Sequence, residues 1–344
     1  MQAKVSAHAL CLAAAAAAGM ATAGFAAAQD IPLNYERLSS MEEPLAREAG
    51  GVTFVLTGLV DAPATLDRED DDSLDAGIVA NFQLSALDQL PNRWRVGLAY
   101  FGQYVTDEAL GSDPGDRYTD NAALSVGGYL GTVLGGNVSG IVREGTRRRR
   151  GAGNASLAFD NALGELANVG AGYTVRLGPW IVGAVVDEDA DFDIGATFQR
   201  PIDDTDYRLT GRVTQSVYAG ADGARQFDSL AIAGVGEVIY GSTAFDVGVG
   251  YEEFSSSGPD ASRWYVSAGG RRKTGVVSLS LEGHLGRIEG EDERSGALGA
   301  QYDLARGMSV NLGVNYAKAL VDLGGASFVN AEDTKAVVSL RYSF

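Results

Sequence analysis

The 344-residue sequence carries 45 acidic and 27 basic residues, and its formal net charge of −18 excludes a nucleic-acid-binding protein that presents a basic face. Cys11 is the only cysteine, which excludes a disulfide-stapled fold. The 46 glycines, 14 tyrosines and 12 phenylalanines favour an all-β protein built from short strands and tight turns.

The N-terminal residues 1–28 have the order of a secretory signal peptide. Lys4 precedes an apolar stretch from Ala9 to Phe25, and three small residues end at Ala28. We expect cleavage before Gln29 and export from the cytoplasm. Residues 29–50 show no alternation and are interpreted as a periplasmic lead-in, in which Ser40 with Glu43 favours a short capped helix.

Residues 51–344 form one predicted domain in which segments with a period of two recur. Beyond residue 28, no apolar run approaches the ~20 residues of a membrane-spanning helix. The pattern therefore predicts an antiparallel up-and-down barrel of about sixteen strands, each crossing a membrane with ~10 residues. The sixteen segments are 51–60, 74–86, 93–105, 117–130, 132–143, 168–176, 179–186, 191–199, 207–218, 229–240, 244–255, 262–270, 275–287, 295–304, 308–320 and 334–344.

The predicted connections alternate in length along the chain. Short ones such as 178–179 and 306–307 contain turn residues, whereas most of the others, such as 106–116, are longer and more polar. Short periplasmic turns opposite longer external loops are typical of outer-membrane barrels. One external connection, near 187–190, is short for this pattern, which leaves a miscount of strands there open.

Each segment has one apolar and one polar face. The final segment places Val338, Leu340, Tyr342 and Phe344 on its apolar face. A soluble sandwich would bury that face and a membrane barrel would turn it to lipid. Two groups of aromatic residues, one toward each end of the strands, favour the barrel, because aromatic girdles form at membrane interfaces. They are Trp94, Trp180, Tyr207, Tyr342 and Phe344 at the turn end, and Tyr100, Tyr104, Tyr251, Phe254 and Trp264 at the loop end.

Basic residues recur on the polar faces, and acidic residues are interpreted as gathering in the loops. Cations on a lumen wall favour the passage of anions. The alternative is a set of salt bridges that solvates the lumen. The predicted inward cations are Arg93, Arg95, Arg176, Arg208, Arg212, Arg263, Arg271, Lys335 and Arg341.

The longest predicted loop runs from Glu144 to Ala167 and contains the consecutive arginines Arg147, Arg148, Arg149 and Arg150. Folded inward, this loop would narrow the channel, and its arginines could face Asp160 and Glu165 across a constriction. A solvated external loop is the alternative.

The strand that leads to this loop, Leu130-Gly131-Thr132-Val133-Leu134-Gly135-Gly136, resembles the corresponding strand of the general bacterial porins. The ending on Phe344 resembles the C-terminal assembly signal of bacterial outer-membrane barrels, which the barrel-assembly machinery reads. The resemblance covers residues 51–344. It implies a homotrimeric, water-filled diffusion channel for ions and small hydrophilic solutes in the outer membrane, with the third external loop folded into the lumen.

Three other functions stay open at this point. One is a substrate-specific channel: the inward arginines favour anionic solutes, whereas a sugar channel would need inward aromatic residues, and few are predicted (Phe101, Tyr129 and Tyr265). A blocked, purely structural barrel would need loops to plug it. A barrel-embedded hydrolase would need a nucleophile and a base, and His284 with Ser280 or Ser278 is the candidate pair, with Glu282 or Asp303 as the acid.

We expect a non-enzymatic protein without a cofactor. Its expected surroundings are outer-membrane lipid and lipopolysaccharide, and the acidic external loops are expected to bind Ca²⁺ or Mg²⁺ loosely.

Overall fold

The structure is a computed structural model, and its β-strands account for nearly all of the residues that it describes. These are residues 45–67, 74–106, 117–137, 142, 151–153, 166, 169–219, 226–255, 261–288, 290–322 and 328–344. In this part of the chain, no helix is both long and apolar enough to cross a membrane.

Eighteen strands follow one another along the chain. They are β1 (Leu45–Ala49), β2 (Val52–Asp67), β3 (Leu74–Ala76), β4 (Val79–Gln89), β5 (Arg95–Val105), β6 (Arg117–Gly128), β7 (Gly131–Gly136), β8 (Gly170–Leu177), β9 (Trp180–Asp187), β10 (Phe192–Ile202), β11 (Thr205–Ala219), β12 (Gln226–Tyr240), β13 (Thr243–Ser255), β14 (Ala261–Thr274), β15 (Val277–Ile288), β16 (Glu291–Ala305), β17 (Met308–Asp322) and β18 (Phe328–Ser343).

The strands close into a single ring. From β4 to β18 each strand pairs antiparallel with the next, and β18 pairs with β2, so that the last strand joins the first part of the sheet. Strands β3 and β4 both pair with β2 and together make one crossing. The ring therefore has sixteen crossings, and each of the sixteen predicted segments coincides with one of them.

Strand β1 is an addition that the sequence pattern does not predict. It pairs with residues 52–56 of β2, below the point where the backbone of Phe344 exchanges hydrogen bonds with Gly58. Strand β18 pairs only with residues 59–67 of β2, so β1 lies beside the part of β2 that β18 does not reach. All five of its residues are exposed, so it carries no alternation from which it could have been recognised. The predicted helix cap at Ser40 and Glu43 lies outside the described residues.

The two rims of the ring differ as expected. At one end, called the turn rim, connections of two to five residues join β4 to β5, β6 to β7, β8 to β9, β10 to β11, β12 to β13, β14 to β15 and β16 to β17. Glycine begins several of these turns with positive φ, including Gly178 at 61° and Gly241 at 55°, a conformation that costs glycine nothing. The opposite end, called the loop rim, carries connections that are mostly longer, although only two residues join β15 to β16 and four join β9 to β10.

The short connection between β9 and β10 is real and involves no miscount. The Asp187 carboxylate accepts hydrogen bonds from the backbone N–H groups of Asp189 at 3.0 Å and Asp191 at 2.9 Å. The Ala190 N–H donates to the Asp187 carbonyl at 3.2 Å. An aspartate that folds the chain back on itself in this way replaces a longer loop.

The wall has two chemically distinct faces. On β15 the exposed side chains are Leu279, Leu281 and Leu285, and they alternate with the buried Ser280 and His284. The same alternation runs through β11, β13, β14 and β17. Because successive side chains of a strand point to opposite faces, the exposed apolar set covers the outside and the polar set lines the inside.

Two predicted positions differ in the structure. Arg93 is not on the inner face: it lies in the exposed turn between β4 and β5, with φ of 67°. Phe254 is not in an outer girdle: it is buried on the inner face, with Phe227 and Ile288, at the loop rim. Arg93 precedes the first residue of β5, so the alternation does not apply to it, whereas Phe254 keeps the inward parity of Glu252 on β13.

Candidate pore lining

The inner wall is held together by cross-strand ion pairs. On β18 and β2, Arg341 Nη2 lies 2.7 Å from Asp61 Oδ2, and these two residues are direct partners in the strand register. On β11 and β12, Arg208 Nη1 lies 3.5 Å from Glu237 Oε2, again between register partners. Because the two charged residues of each pair lie directly opposite one another on adjacent strands, each ion pair stabilises the observed register of its two strands.

Two further pairs bridge the wall diagonally. Arg212 Nε on β11 lies 3.0 Å from Asp193 Oδ1 on β10, and both side chains are buried. Lys273 Nζ on β14 lies 3.0 Å from Asp303 Oδ2 on β16, near the turn rim, where both are more exposed. A buried charge is tolerated only when another group compensates it, and these carboxylates supply that compensation.

A denser polar cluster lies on the inner wall toward the loop rim. Arg263 on β14 contacts Glu293 on β16 at 2.9 Å and Glu252 on β13 at 3.5 Å. His284 Nε2 lies 3.5 Å from Glu293 Oε2. The Arg263 guanidinium also stands 5.1 Å from the centre of the Tyr265 ring, a cation–π geometry. Three strands are thereby joined through one arginine.

These pairs change the predicted picture of the lumen charge. The acids are not confined to loops: Asp61, Asp193, Glu237 and Glu252 lie on the inner wall, and Glu293 is an inner-wall residue of β16. Arg208, Arg212, Arg263 and Arg341 are on the inner face as predicted, each beside a carboxylate. The salt-bridge alternative thus describes them better than a wall of uncompensated cations.

Sequence reasoning missed these acids although a signal for them exists. Each occupies the same parity as the inward polar residues of its own strand, for example Glu252 on β13, three residues before the end of that strand. What the sequence does not contain is the register, which alone shows that Glu252 faces Arg263 and that Asp61 faces Arg341.

Arg95 also lies at an inward position, on β5, in the parity of Gly97 and Ala99. Arg147, Arg148, Arg149, Arg150, Asp160 and Glu165 lie outside the described residues. Their grouping at a constriction stays a prediction.

The long connection between β7 and β8 reaches across the ring. Near its origin, Val142 and Leu166 pack with Leu134 and Val185 on the adjacent wall. Ala152, in the middle of the connection, is fully buried against β15, where its N–H donates to Ser280 Oγ at 2.7 Å. Seven crossings separate β7 from β15 in either direction round the ring, so this contact is on the opposite wall. The third loop is folded into the lumen, as predicted.

The C-terminal residues Val338, Leu340 and Tyr342 are exposed on the outer face. Phe344 follows them on that face and its ring covers Gly58 of β2, where an added Cβ would overlap the ring. Its ring also lies 5.8 Å from that of Tyr342. The final aromatic residue therefore packs at the junction that closes the barrel.

Two groups of the catalytic alternative, Ser280 and His284, contact residues outside the candidate set. Ser280 Oγ accepts a hydrogen bond from Ala152, and His284 lies beside Glu293. In the described ranges, no group of three or more histidine, cysteine, aspartate or glutamate side chains is arranged to hold a metal ion.

Solved structures with the same barrel fold include bacterial porins. An outer membrane protein OmpT of Vibrio cholerae in its trimer form superposes with a TM-score of 0.65 at 13% identity, covering 86% of this chain and all of that one. An anion-selective porin from Comamonas acidovorans superposes with a TM-score of 0.63 at 16% identity, covering 85% of this chain and all of that one. Salmonella typhi OmpF, in complex with daunomycin, superposes at 0.59 and 13% identity, covering 87% of this chain and 100% of its own.

At these identities the likeness shows the fold, which is that of the general bacterial porins. No protein-family model matches the sequence. None of the curated proteins matches it either.

Proposed function

We propose that this protein is an outer-membrane channel through which ions and small hydrophilic solutes diffuse passively. The observation that carries the proposal is the two-faced closed wall: exposed apolar side chains outside, polar and charged side chains inside. A soluble barrel would have no reason to expose Leu281 at 63% and Leu285 at 57% while burying Ser280 and His284.

Aromatic residues support a membrane environment. Trp180, Tyr207 and Tyr302 are exposed toward the turn rim, and Tyr251 and Trp264 are exposed toward the loop rim. Rings that carry one polar atom favour the two interfaces of a bilayer, and the apolar band between these girdles then matches the hydrocarbon.

The size of the ring supports an open passage. Side chains can fill the interior of an eight-stranded barrel, whereas a sixteen-stranded barrel leaves an aqueous channel unless a loop obstructs it. Here Val142 and Leu166 of the long loop lie beside one wall, and Ala152 contacts Ser280 on the opposite wall. We propose that the loop narrows the channel rather than closing it.

The ion preference follows from which charges are compensated. The wall pairs around Arg208, Arg212, Arg263 and Arg341 bring a carboxylate to each cation, so the wall alone selects weakly by sign. We propose that Arg147, Arg148, Arg149 and Arg150, facing Asp160 and Glu165, set the preference, and that it favours anions. A fold neighbour named as an anion-selective porin is compatible with this.

Assembly and location complete the proposal. We infer export by the signal peptide 1–28, recognition of the ending at Phe344 by the barrel-assembly machinery, and insertion into the outer membrane as a homotrimer. A neighbour described in a trimer form supports the last point. Acidic loops that bind Ca²⁺ or Mg²⁺ loosely would bridge the protein to lipopolysaccharide, and treatment with a chelator would then weaken its attachment.

The His284 geometry favours a channel over a hydrolase. Its neighbour Glu293 also pairs with Arg263, and Ser280 accepts a hydrogen bond from the loop backbone, so His284 and Ser280 each have a partner outside the candidate set. Replacing His284 and assaying lipid and peptide hydrolysis tests this, and hydrolysis that depends on His284 would overturn the proposed function.

The experiment is a planar-bilayer recording of the purified protein in a salt gradient. We expect discrete, ohmic current steps and a zero-current voltage that reports anion preference. A variant with Arg147–Arg150 replaced by serine should keep the steps and lose the preference. Absence of conductance from a correctly folded barrel would contradict the proposed function, and an unchanged zero-current voltage in the serine variant would contradict the role of the four arginines.

A further inference from the structure

The inner wall carries a notch opposite the origin of the long loop. Ser280 on β15 pairs in register with Gly299 on β16, which pairs in register with Gly313 on β17. All three are inner-wall positions. A serine and two glycines lie side by side there. Few side-chain atoms therefore project into the lumen from these three neighbouring strands. We call these three residues the wall notch.

The segment Gly151-Ala152-Gly153 of the loop lies in the wall notch with its backbone against the sheet. The Ala152 N–H donates to Ser280 Oγ at 2.7 Å, and the Ser280 hydroxyl lies 3.4 Å from the Ala152 carbonyl oxygen. Ala152 is 0% exposed. One serine side chain therefore contacts both polar groups of the same loop residue.

Glycine is required on both sides of this contact. A Cβ added at Gly299 would overlap the backbone carbonyl oxygen of Ala152, which is not the movable end of a side chain. Gly153 has φ of 68°, and a Cβ there would overlap the backbone oxygens of Leu312 and Ala300. The close approach is thus specific to this pair of surfaces.

The loop reaches the wall notch from the other side of the lumen. Val142 and Leu166 anchor it near β7 and β9, and Ala152 lies between them in the chain. Ala152 is ten positions after Val142, and a fully extended chain spans at most ~33–36 Å over that many residues. The described residues thus place Val142 and Leu166 on one wall and Ala152 on the opposite wall.

We propose that Gly299 and Ser280 are positioning residues that hold residues 151–153 of the long loop against this wall of the lumen and thereby limit the conductance of the channel. This inference rests on the proposed function, because it assigns a consequence for ion flow. Neither residue needs to contact a permeating ion: each acts through the backbone of Ala152.

The first test replaces the notch. Gly299→Val puts a branched side chain where the Ala152 carbonyl lies, so the loop leaves the wall notch, and we expect larger and noisier single-channel currents in planar bilayers. Ser280→Ala removes only the hydrogen bonds and should give a smaller change in the same direction. The matched control is Gly283→Val, since Gly283 is on the outer face of β15 with open space around its Cα. It should leave the currents unchanged.

The second test does not depend on conduction. Ala152→Cys with Ser280→Cys should form a disulfide on mild oxidation in the intact barrel, because the two residues are in direct contact, and the link should abolish the excess noise of any loosened variant. Failure of this disulfide to form would overturn the contact. Currents in Gly299→Val and Ser280→Ala equal to those of the unchanged protein would overturn the role in conductance. A disulfide that forms in a protein without any conductance would instead count against the proposed function.

Discussion

At the level of single residues, the inner wall combines many charges with little net field. Arg341 and Asp61 are register partners 2.7 Å apart, and both retain some exposure to the lumen. If one residue of this pair is neutralised, the charge of the other remains. That charge keeps some contact with water in the lumen and can act on passing ions.

We predict opposite shifts of ion preference from the two halves of this pair. Asp61→Asn removes a negative charge beside Arg341 and should move the zero-current voltage in a salt gradient toward anion preference. Arg341→Gln should move it toward cation preference. Equal shifts of the same sign, or no shift in either variant, would show that this pair does not face the conducting path.

A second residue-level prediction concerns the acidic turn at the loop rim. Burial raises the pKa of Asp191 to about 6, and repulsion from Asp187, Asp228 and Asp189 adds to the effect. A raised pKa means that the folded state holds the proton more tightly than the unfolded chain, whose ordinary value is 3.8. Asp191 therefore favours folding most at low pH, and its contribution falls as the pH rises from about 4 to about 6.

The carboxyl ¹³C signal of Asp191 should titrate with a midpoint near pH 6. Asp187→Asn should lower that midpoint, because it removes the largest repulsive neighbour while keeping an oxygen that can accept the backbone hydrogen bonds of the turn. A midpoint near the ordinary aspartate value in the unchanged protein would contradict the buried turn geometry.

The sequence predicts individual residues unevenly, and the reason is physical. The parity of a strand gives the face of each side chain, so Arg208, Arg212, Arg263 and Arg341 are correctly placed inward. Their partners Glu237, Asp193 and Glu252 depend on which residues stand opposite one another, and a register is set by the assembled sheet rather than by either strand alone.

At the level of elements, closure of the ring depends on how β18 meets β2. Phe344 donates its backbone N–H to the Gly58 carbonyl at 3.0 Å and accepts from the Gly58 N–H at 2.8 Å. Its ring lies over Gly58, where there is no side chain. Barrel closure removes the last free strand edges, so this junction protects the whole sheet.

We predict that Gly58→Leu lowers the free energy of unfolding by about 1–3 kcal/mol, the usual cost of overpacking a fitted contact. Denaturant unfolding in lipid vesicles measures it. Gly211→Leu is the matched control, because Gly211 is on the outer face of β11 with nothing within reach of its Cβ. Equal stability of the Gly58 variant and the unchanged protein would show that the Phe344 ring does not need this gap.

Elements with regular alternation were predictable, and those without it were not. All sixteen crossings follow from a period of two, which reflects a wall wetted on one side only. Strand β1 is exposed along its whole length, so no difference between its faces marks it. The predicted inward position of Arg93 is wrong for a related reason. Arg93 lies in a turn, where side chains do not alternate between two faces.

At the level of the whole molecule, the two faces of the wall require different surroundings. The strands, the girdles and the polar lining all follow if hydrocarbon contacts the outside and water fills the inside. The fold neighbours, an outer membrane protein and a porin, are compatible with this arrangement.

The most direct measurement is a spin-label scan along β15 in lipid vesicles. Cys11, the only cysteine, lies in the predicted signal peptide, so single cysteines can be placed from Val277 to Ile288. We predict that labels at Leu279, Leu281 and Leu285 are relaxed by oxygen dissolved in the bilayer, whereas labels at Ser278 and His284 are relaxed by a water-soluble nickel chelate. Nickel access at both sets of positions would mean water on both faces, and would contradict the membrane channel.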